Sequence, residues 1–455
     1  MKRHVIIGGF WPRDSTKIPL GDNEVATRLE LYTVGRSLNY GLGKAIRDLV
    51  QLGIYPTEVG LDLMVLAAHV YAADTRVSRS SESQDSWTRE MRLVVPVSDK
   101  DRWEPAASVL VRMLNFLTGD RWVISFRTRP SRAATLVPRQ AARLIGPPFD
   151  NLSLLSGGLD SLINAIDRLQ EGCTPLFVSH AGDGATSDAQ NELFDGLKEA
   201  FPKRSFNRLR LWMSFPKDLV SGSGNENSTR ARSFLFFALG IFAGSGLDMP
   251  FTLHAPENGL IALNVPLDLL RLGALSTRTT HPYYIARWNE LLEKLAVPGK
   301  IDNPYWYQTK GEMVSACTNP ELLRRLVPSS MSCSSPTKGR WLGLEQQHCG
   351  YCLPCLIRRA ALQAGLGQGA DITKYTISDL RARPLSTQQS EGQQVRSFQL
   401  AIERLRLRPE LASILIHKPG PLVDESPARQ SALAEVYRRG LEEVGSLLSE
   451  VSASP

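Results

Sequence analysis

Cysteine is scarce in this chain: there are six in 455 residues, too few and too unevenly placed for the disulfide framework of a secreted scaffold. Long apolar runs are missing too. The longest, Phe234 to Gly246, falls short of the ~18 residues that cross a bilayer, so no membrane partner is expected. No signal peptide is visible, because Met1-Lys2-Arg3-His4-Val5 passes quickly into Gly8-Gly9 and polar residues. The expectation is a cytoplasmic protein. Neither sign of charge dominates: 53 Lys and Arg stand against 46 Asp and Glu, a net +7 spread along the chain. That balance permits contact with nucleic acid or other anions without requiring it. With 42% hydrophobic and 22% charged residues, the composition is that of a globular protein, which excludes collagen, a coiled-coil rod and wholesale disorder.

The length allows two to four domains at roughly 100–200 residues each. Residues 1–130 read as a mixed α/β extension. His4 to Ile7, Arg92 to Val97 and Trp122 to Phe126 are expected strands, and Leu61 to Val70 and Glu104 to Leu117 expected helices. The Gly41-Leu42-Gly43-Lys44 run is not a Walker A loop, since Leu38 and Ala45 stand where Gly and Ser or Thr are needed. A Pro- and Arg-rich stretch over 127–150 marks a boundary. Residues 131–368 then alternate short apolar strands with helices, which predicts an α/β fold with a doubly wound parallel sheet. Residues 369–455 read as a linker and a helical tail, with the Ser/Gln/Gly-rich stretch Leu385 to Gln394 a linker or long loop. Ser426 caps that tail and Pro427 takes its first position. Its stripe of Leu433, Val436, Tyr437, Leu441, Val444 and Leu448 predicts a packing face.

The sharpest local signal is Leu154-Leu155-Ser156-Gly157-Gly158-Leu159-Asp160-Ser161, an apolar strand running into Ser-Gly-Gly-x-Asp-Ser and then a helix. The glycines let the backbone turn tightly and approach an anion, and the turn aims N–H groups and the positive helix end at one point. Ser156 and Ser161 add hydroxyls. No Lys follows the glycines, and Asp160 suits Mg²⁺ beside phosphates better than an anion.

The second signal is Cys349-Gly350-Tyr351-Cys352-Leu353-Pro354-Cys355 with Cys333 upstream. Four thiolates on two knuckles fit a closed tetrahedral, structural Zn²⁺ site. An iron–sulfur cluster is chemically open to four cysteines as well, and His348 or Cys317 could replace one ligand.

Ser156 to Ser161 resembles the PP-loop of the HUP-like ATP pyrophosphatase superfamily, whose members cleave ATP to AMP and pyrophosphate to adenylate a substrate oxygen. Joined to a Cys-Gly-x-Cys-x-x-Cys-x-x-Arg ending that Arg358 completes, it is similar to the 7-cyano-7-deazaguanine synthase (QueC) family. The resemblance implies a C–N ligase that adenylates 7-carboxy-7-deazaguanine, using ATP, Mg²⁺ and Zn²⁺. It also implies phosphate or adenylate neutralisation by Arg232, within Arg230 to Leu235, and by Lys310, within Thr309-Lys310-Gly311-Glu312. By themselves, both read more simply as solvated surface charges.

The likeness covers residues 150 to about 365. Ser179-His180-Ala181-Gly182-Asp183 replaces the family's aromatic Gly-Gln stretch. The segment expected to read the base has become Glu257-Asn258-Gly259 through Asn264-Val265-Pro266, followed by Ser276-Thr277-Arg278-Thr279-Thr280-His281-Pro282. His180 and His281 read equally as scaffold or as general bases, and the Thr-rich run equally as a turn or a substrate contact. With its extra segments, the chain resembles the larger QatC type of bacterial anti-phage systems. That implies a deazapurine substrate and a partner protein of a defence system as a second acceptor besides ammonia. Two other readings stay open: a PP-loop tRNA-modifying enzyme of the thiolase or lysidine kind, and a non-catalytic nucleotide-binding scaffold.

Overall fold

The computed structural model describes every residue except 1, 11–13, 15, 33–36, 84, 139–145, 225, 227 and 269–277. The protein is α/β with parallel sheets, as expected. Strands β1 (Arg3–Gly9), β2 (Glu24–Glu30), β3 (Glu90–Val97) and β4 (Arg121–Thr128) form a four-stranded sheet in the order β2-β1-β3-β4, all parallel. A five-stranded parallel sheet follows, made of β5 (Asn151–Leu154), β6 (Pro175–His180), β7 (Asn207–Leu211), β8 (Phe251–His254) and β9 (Gly299–Asp302) in the order β7-β6-β5-β8-β9. The chain builds outward from β5 to one edge and then crosses to β8. That reversal opens a crevice at the carboxyl ends of β5 and β8, the place where such sheets take ligands.

The helices used below are α1 (Glu58–Arg76), α2 (Leu159–Gln170), α3 (Gly184–Ala200), α4 (Arg232–Gly244), α5 (Pro282–Lys294), α6 (Lys310–Ala316), α7 (Leu353–Leu366), α8 (Ser390–Leu407) and α9 (Pro427–Leu448). Strand β6 is buried at every position, as befits a strand covered on both faces. Side-chain alternation sends Leu152, Leu154, Leu176 and Val178 into one core and Leu155 and Phe177 into another. The first of these cores is continuous with that of the four-stranded sheet, because α1 lies between the two sheets and packs on α4. Residues Val59 to Thr75 of α1 are accordingly all buried, which places Asp62, His69 and Asp74 in the interior. The core thus runs across the expected boundary near residue 130.

The third core joins α7, α8 and α9. Every residue of the predicted α9 stripe is buried in it, and Ser426 accepts the Arg429 N–H at 3.2 Å with Pro427 at the first turn. One expectation is corrected. Leu385 to Gln394 is not a linker: Leu385–Ser386 pairs with Ala453–Ser454, and α8 begins at Ser390. The opening turn has weak helix formers, but Val395, Phe398, Ala401 and Leu405 bury one face, and tertiary packing outweighs local propensity. No described helix is long and apolar enough to cross a membrane.

Candidate functional site

Strand β5 delivers Ser156-Gly157-Gly158 to the crevice and α2 opens at Leu159. Gly157 takes φ +90°, the left-handed region, and a Cβ there would meet Gln190 Cγ at 3.3 Å. Gln190, fully buried on α3, donates to the Ser156 and His180 carbonyls at 3.2 and 3.1 Å, tying the ends of β5 and β6 together. The Ser156 hydroxyl donates to Ser161 Oγ (3.1 Å), Ser161 donates to the Gly158 carbonyl (2.9 Å), and Ser156 Oγ accepts the Gly158 N–H (3.3 Å). Gly158 at the N-cap offers no side chain, so the first N–H groups of α2 remain for an anion. Gly157→Ala is expected to cost about 1–2 kcal/mol in denaturant unfolding, because only glycine sits without strain at this φ.

Asp160, on the first turn of α2, points away from the open cleft. Its Oδ1 lies 2.8 Å from Lys310 Nζ, and its Oδ2 accepts from Asn258 N and Nδ2 at 3.0 and 2.8 Å. Each of the two ions is only 7% exposed. Lys310 owes its place to the C-terminal helix. Thr309 and Glu312 form a capping box at the start of α6, and Glu443 of α9 accepts from Thr309 Oγ1 (2.6 Å) and Gly311 N (3.1 Å). Arg439, one turn earlier on α9, holds Glu312 at 2.7 Å.

The cleft itself encloses about 350 Å³. Ser156 and Ser161 line one wall, Arg232 and Arg230 a second, Glu257 and Thr280 a third, and Met331 to Cys333 a fourth. Arg232 donates to the His180 carbonyl at 3.1 Å. Glu257 is pinned through its backbone, whose N–H is accepted by Asn303 Oδ1 (3.1 Å) and whose carbonyl takes Asn303 Nδ2 (2.7 Å). Among the described residues its carboxylate has one hydrogen-bond partner, the Thr280 hydroxyl. Burial, helped by the nearby Asp160 charge and opposed by Thr280 and Lys310, pushes its pKa up to about 7. A carboxyl at 4.5 when unfolded and about 7 when folded stabilises the fold below 4.5 and loses that contribution as pH rises through 7. Glu257→Gln is therefore expected to raise the melting temperature of the ligand-free protein at pH 8 and to leave it nearly unchanged at pH 4; equal shifts at both pH values would contradict this.

The four predicted cysteines come together. Cys333, Cys349, Cys352 and Cys355 have sulfurs all within 4.8 Å of one another, a set that can hold a metal ion. The Cys333–Cys352 and Cys349–Cys355 sulfurs are each 3.9 Å apart, close to the ~3.8 Å edge of a tetrahedron with metal–sulfur bonds of about 2.3 Å. An iron–sulfur cube puts each thiolate on a different iron and would spread the sulfurs further. Gly350 makes the knuckle at φ +90°, where a Cβ would meet the Ile377 carbonyl at 2.5 Å. The N–H groups of Ser335 and Cys349 donate to Cys333 Sγ (3.4 and 3.3 Å), support that a thiolate needs. His348 instead accepts the Ser332 N–H at 3.1 Å, and Cys317 is buried in the core around α2. Arg358, fully buried, donates to Ser330 Oγ (2.8 Å) and the Val327 carbonyl (2.7 Å), and so braces the strand of chain that leads to Cys333.

The two histidines differ in role from each other. His281 caps α5, its Nδ1 accepting the Tyr283 N–H at 3.2 Å, and burial with Arg278 nearby pushes its pKa down to about 3. His180 is fully buried at the end of β6 and likewise falls to about 3, so both are neutral at physiological pH. Ser276 and Thr277 lie outside the described residues, while Thr279 and Thr280 line the cleft.

Of the residues singled out from sequence, Ser156, Ser161, Arg232 and Cys333 reach the cleft together, and Asp160 and Lys310 form a pair behind it. Sequence reasoning gave no separate part to Glu257, Asn258, Thr280 or Arg230. A carboxylate three residues past the end of a short strand, in an α/β pattern, was the signal that could have found Glu257. No protein-family model matches this chain, and no curated protein matches it.

Proposed function

We propose that this protein is an ATP-dependent, AMP-forming ligase of the QueC-like kind, acting on a 7-deazaguanine carboxylate, with Zn²⁺ on Cys333, Cys349, Cys352 and Cys355. The observation that carries the reading is that the serine–glycine loop and the cysteine segment, far apart in sequence, meet at one cleft: the Met331 N–H donates to the Gly157 carbonyl at 2.8 Å, and Cys333 lines the same space as Ser156. ATP phosphates would lie against the N–H groups from Ser156 to Ser161, with Arg232 neutralising charge opposite them. Both oxygens of Asp160 are engaged by Lys310 and Asn258, so Mg²⁺ arriving with ATP finds the carboxylate of Glu257 more open. Zn²⁺ would be structural, because four thiolates leave no open position.

In the first step a substrate carboxylate oxygen bonds to the α-phosphorus and the bond to pyrophosphate breaks. In the second an amine nitrogen bonds to the acyl carbon and AMP departs, the amine losing a proton. Ammonia leads to an amide and, after a second activation, a nitrile; a protein amine leads to transfer. A role in anti-phage defence belongs to this same reading.

The test is a reaction of purified protein with ATP, Mg²⁺ and 7-carboxy-7-deazaguanine, with and without ammonium, following AMP, pyrophosphate and product mass. AMP with a nitrile mass supports the small-molecule synthase. AMP without nitrile points to an adenylate awaiting another acceptor. If no AMP forms, the substrate assignment fails, and tRNA is the next substrate to test.

A further inference from the structure

The wall of the cleft that is hydrogen-bonded to the serine–glycine loop carries a hydroxyl with no partner of its own. Ser332 lies in that wall, between Met331 and Cys333, and among the described residues its Oγ is shut from solvent and makes no hydrogen bond. The hydroxyls of Ser156 and Ser161, by contrast, both donate within the loop. The backbone of Ser332 is fixed from three directions: its N–H donates to His348 Nε2 at 3.1 Å, the Met331 N–H donates to the Gly157 carbonyl at 2.8 Å, and Cys333 Sγ accepts the Cys349 N–H at 3.3 Å. The hydroxyl stands beside Gly158, the N-cap of α2. A Cβ built on Gly158 would have, as its three nearest neighbours beyond the adjoining residues, Ser156 Oγ at 3.5 Å and the Met331 carbonyl oxygen and Ser332 Oγ at 3.8 Å each. These are ordinary van der Waals distances, so the missing side chain leaves a seat for one more heavy atom between two hydroxyls. Gly158 has φ −88° and ψ 168°, extended backbone that any residue adopts, so glycine is not needed here for its conformation. What the bare Cα supplies is the space. The first N–H groups of α2 point back toward this N-cap, and the positive end of the helix favours an anion there. The Met331 carbonyl would repel an anion, so an oxygen in the seat needs the neighbouring Ser332 hydroxyl to donate to it. A buried hydroxyl without a partner costs free energy in the empty protein, and a phosphate oxygen in the seat would recover it.

We infer that Ser332 is a phosphate-binding residue, its hydroxyl donating to a nucleotide oxygen seated over Gly158 between Ser156 and Ser332. The inference rests on the proposed function, which lays the phosphates of ATP on the serine–glycine loop, and it adds a contact from the cysteine wall. Because Ser332 directly precedes Cys333, whatever fixes the four sulfurs also fixes this donor.

The experiment is calorimetric titration of the full, zinc-loaded chain with pyrophosphate in Mg²⁺ and, separately, with AMP. The native protein is compared with Ser332→Ala, Ser332→Thr and Gly158→Ala, and each is also melted without ligand. Ser332→Ala is expected to bind pyrophosphate or AMP about tenfold or more weakly, as loss of a hydrogen bond to a charged group implies. Its ligand-free melting temperature should hold or rise, because the hydroxyl removed has no partner to lose; a serine serving only as scaffold would lower it instead. Ser332→Thr keeps the hydroxyl and is expected to bind near the native affinity. Gly158→Ala fills the seat without straining the backbone, so it should weaken the same ligand while melting close to the native protein. The ligand that weakens, pyrophosphate or AMP, names the phosphate that occupies the seat. The inference is overturned if Ser332→Ala binds both ligands as tightly as the native protein, or if Ser332→Ala and Ser332→Thr weaken equally. A native protein that binds neither ligand counts against the proposed function, and the role of Ser332 falls with it; native binding that survives Ser332→Ala sinks the role of Ser332 alone.

Discussion

On the proposed function, Lys310→Met is expected to slow AMP formation by about 10²-fold, because the Lys310–Asp160 pair braces the first turn of α2 behind the cleft and its loss shifts the serine–glycine loop against the bound phosphates. The same change should destabilise the fold by about 3–5 kcal/mol, because it leaves the buried Asp160 charge with Asn258 alone. The two effects can be separated. Combining Lys310→Met with Asp160→Asn removes both charges, so unfolding measurements should show part of the stability restored, while AMP formation stays low. A Lys310→Met protein that forms AMP at the native rate would end the case for Lys310. The C-terminal helix contributes to both effects, since Glu443 and Arg439 hold the turn that presents Lys310.

The second large effect concerns the proposed Zn²⁺ on the four cysteines. Cys352→Ser, or stripping the metal with a chelator, is expected to cost more than about 4 kcal/mol, because a structural ion contributes its binding energy directly to folding. Cys352 precedes α7, whose Leu356, Ile357 and Ala360 anchor the third core, so loosening the knuckle exposes that core as well. On the proposed function, nucleotide affinity should fall with it, since the Met331 to Cys333 wall is fixed to Gly157 by a backbone hydrogen bond and to the cysteine knuckle by the Cys349 N–H donating to Cys333 Sγ. Elemental analysis should find one zinc per chain and visible spectroscopy a colourless protein. A brown protein with an iron absorption band would overturn zinc in favour of an iron–sulfur cluster.

Much of this was legible in one dimension because it is local. The serine–glycine turn needs contiguous residues whose backbone conformation only glycine tolerates, and the knuckle needs cysteines two residues apart. The tail helix carries its own cap and stripe. Strands β5 and β6 are short, mostly apolar runs covered on both faces, and they stand out against polar turns. Strand β9 did not stand out: Gly299-Lys300-Ile301-Asp302 buries little beyond Ile301, and its place at the edge comes from pairing with β8. The start of α8 was hidden for a similar reason, with its polar first turn held by packing further along.

By itself, then, the sequence determined the parallel α/β pattern, the serine–glycine turn and the four-thiol set, since each rests on spacing within a few residues or on periodicity. Only the tertiary structure decided that turn and thiols share a cleft, that Asp160 faces Lys310 rather than open solvent, and that Glu257 is the carboxylate left in the crevice. It also showed that the N-terminal region brings Trp87 against Arg230 and Phe116 against Arg278. Those relations join residues far apart in the chain. They follow from the crossing of β5 to β8 and from α1 lying between two sheets, and no local propensity encodes either.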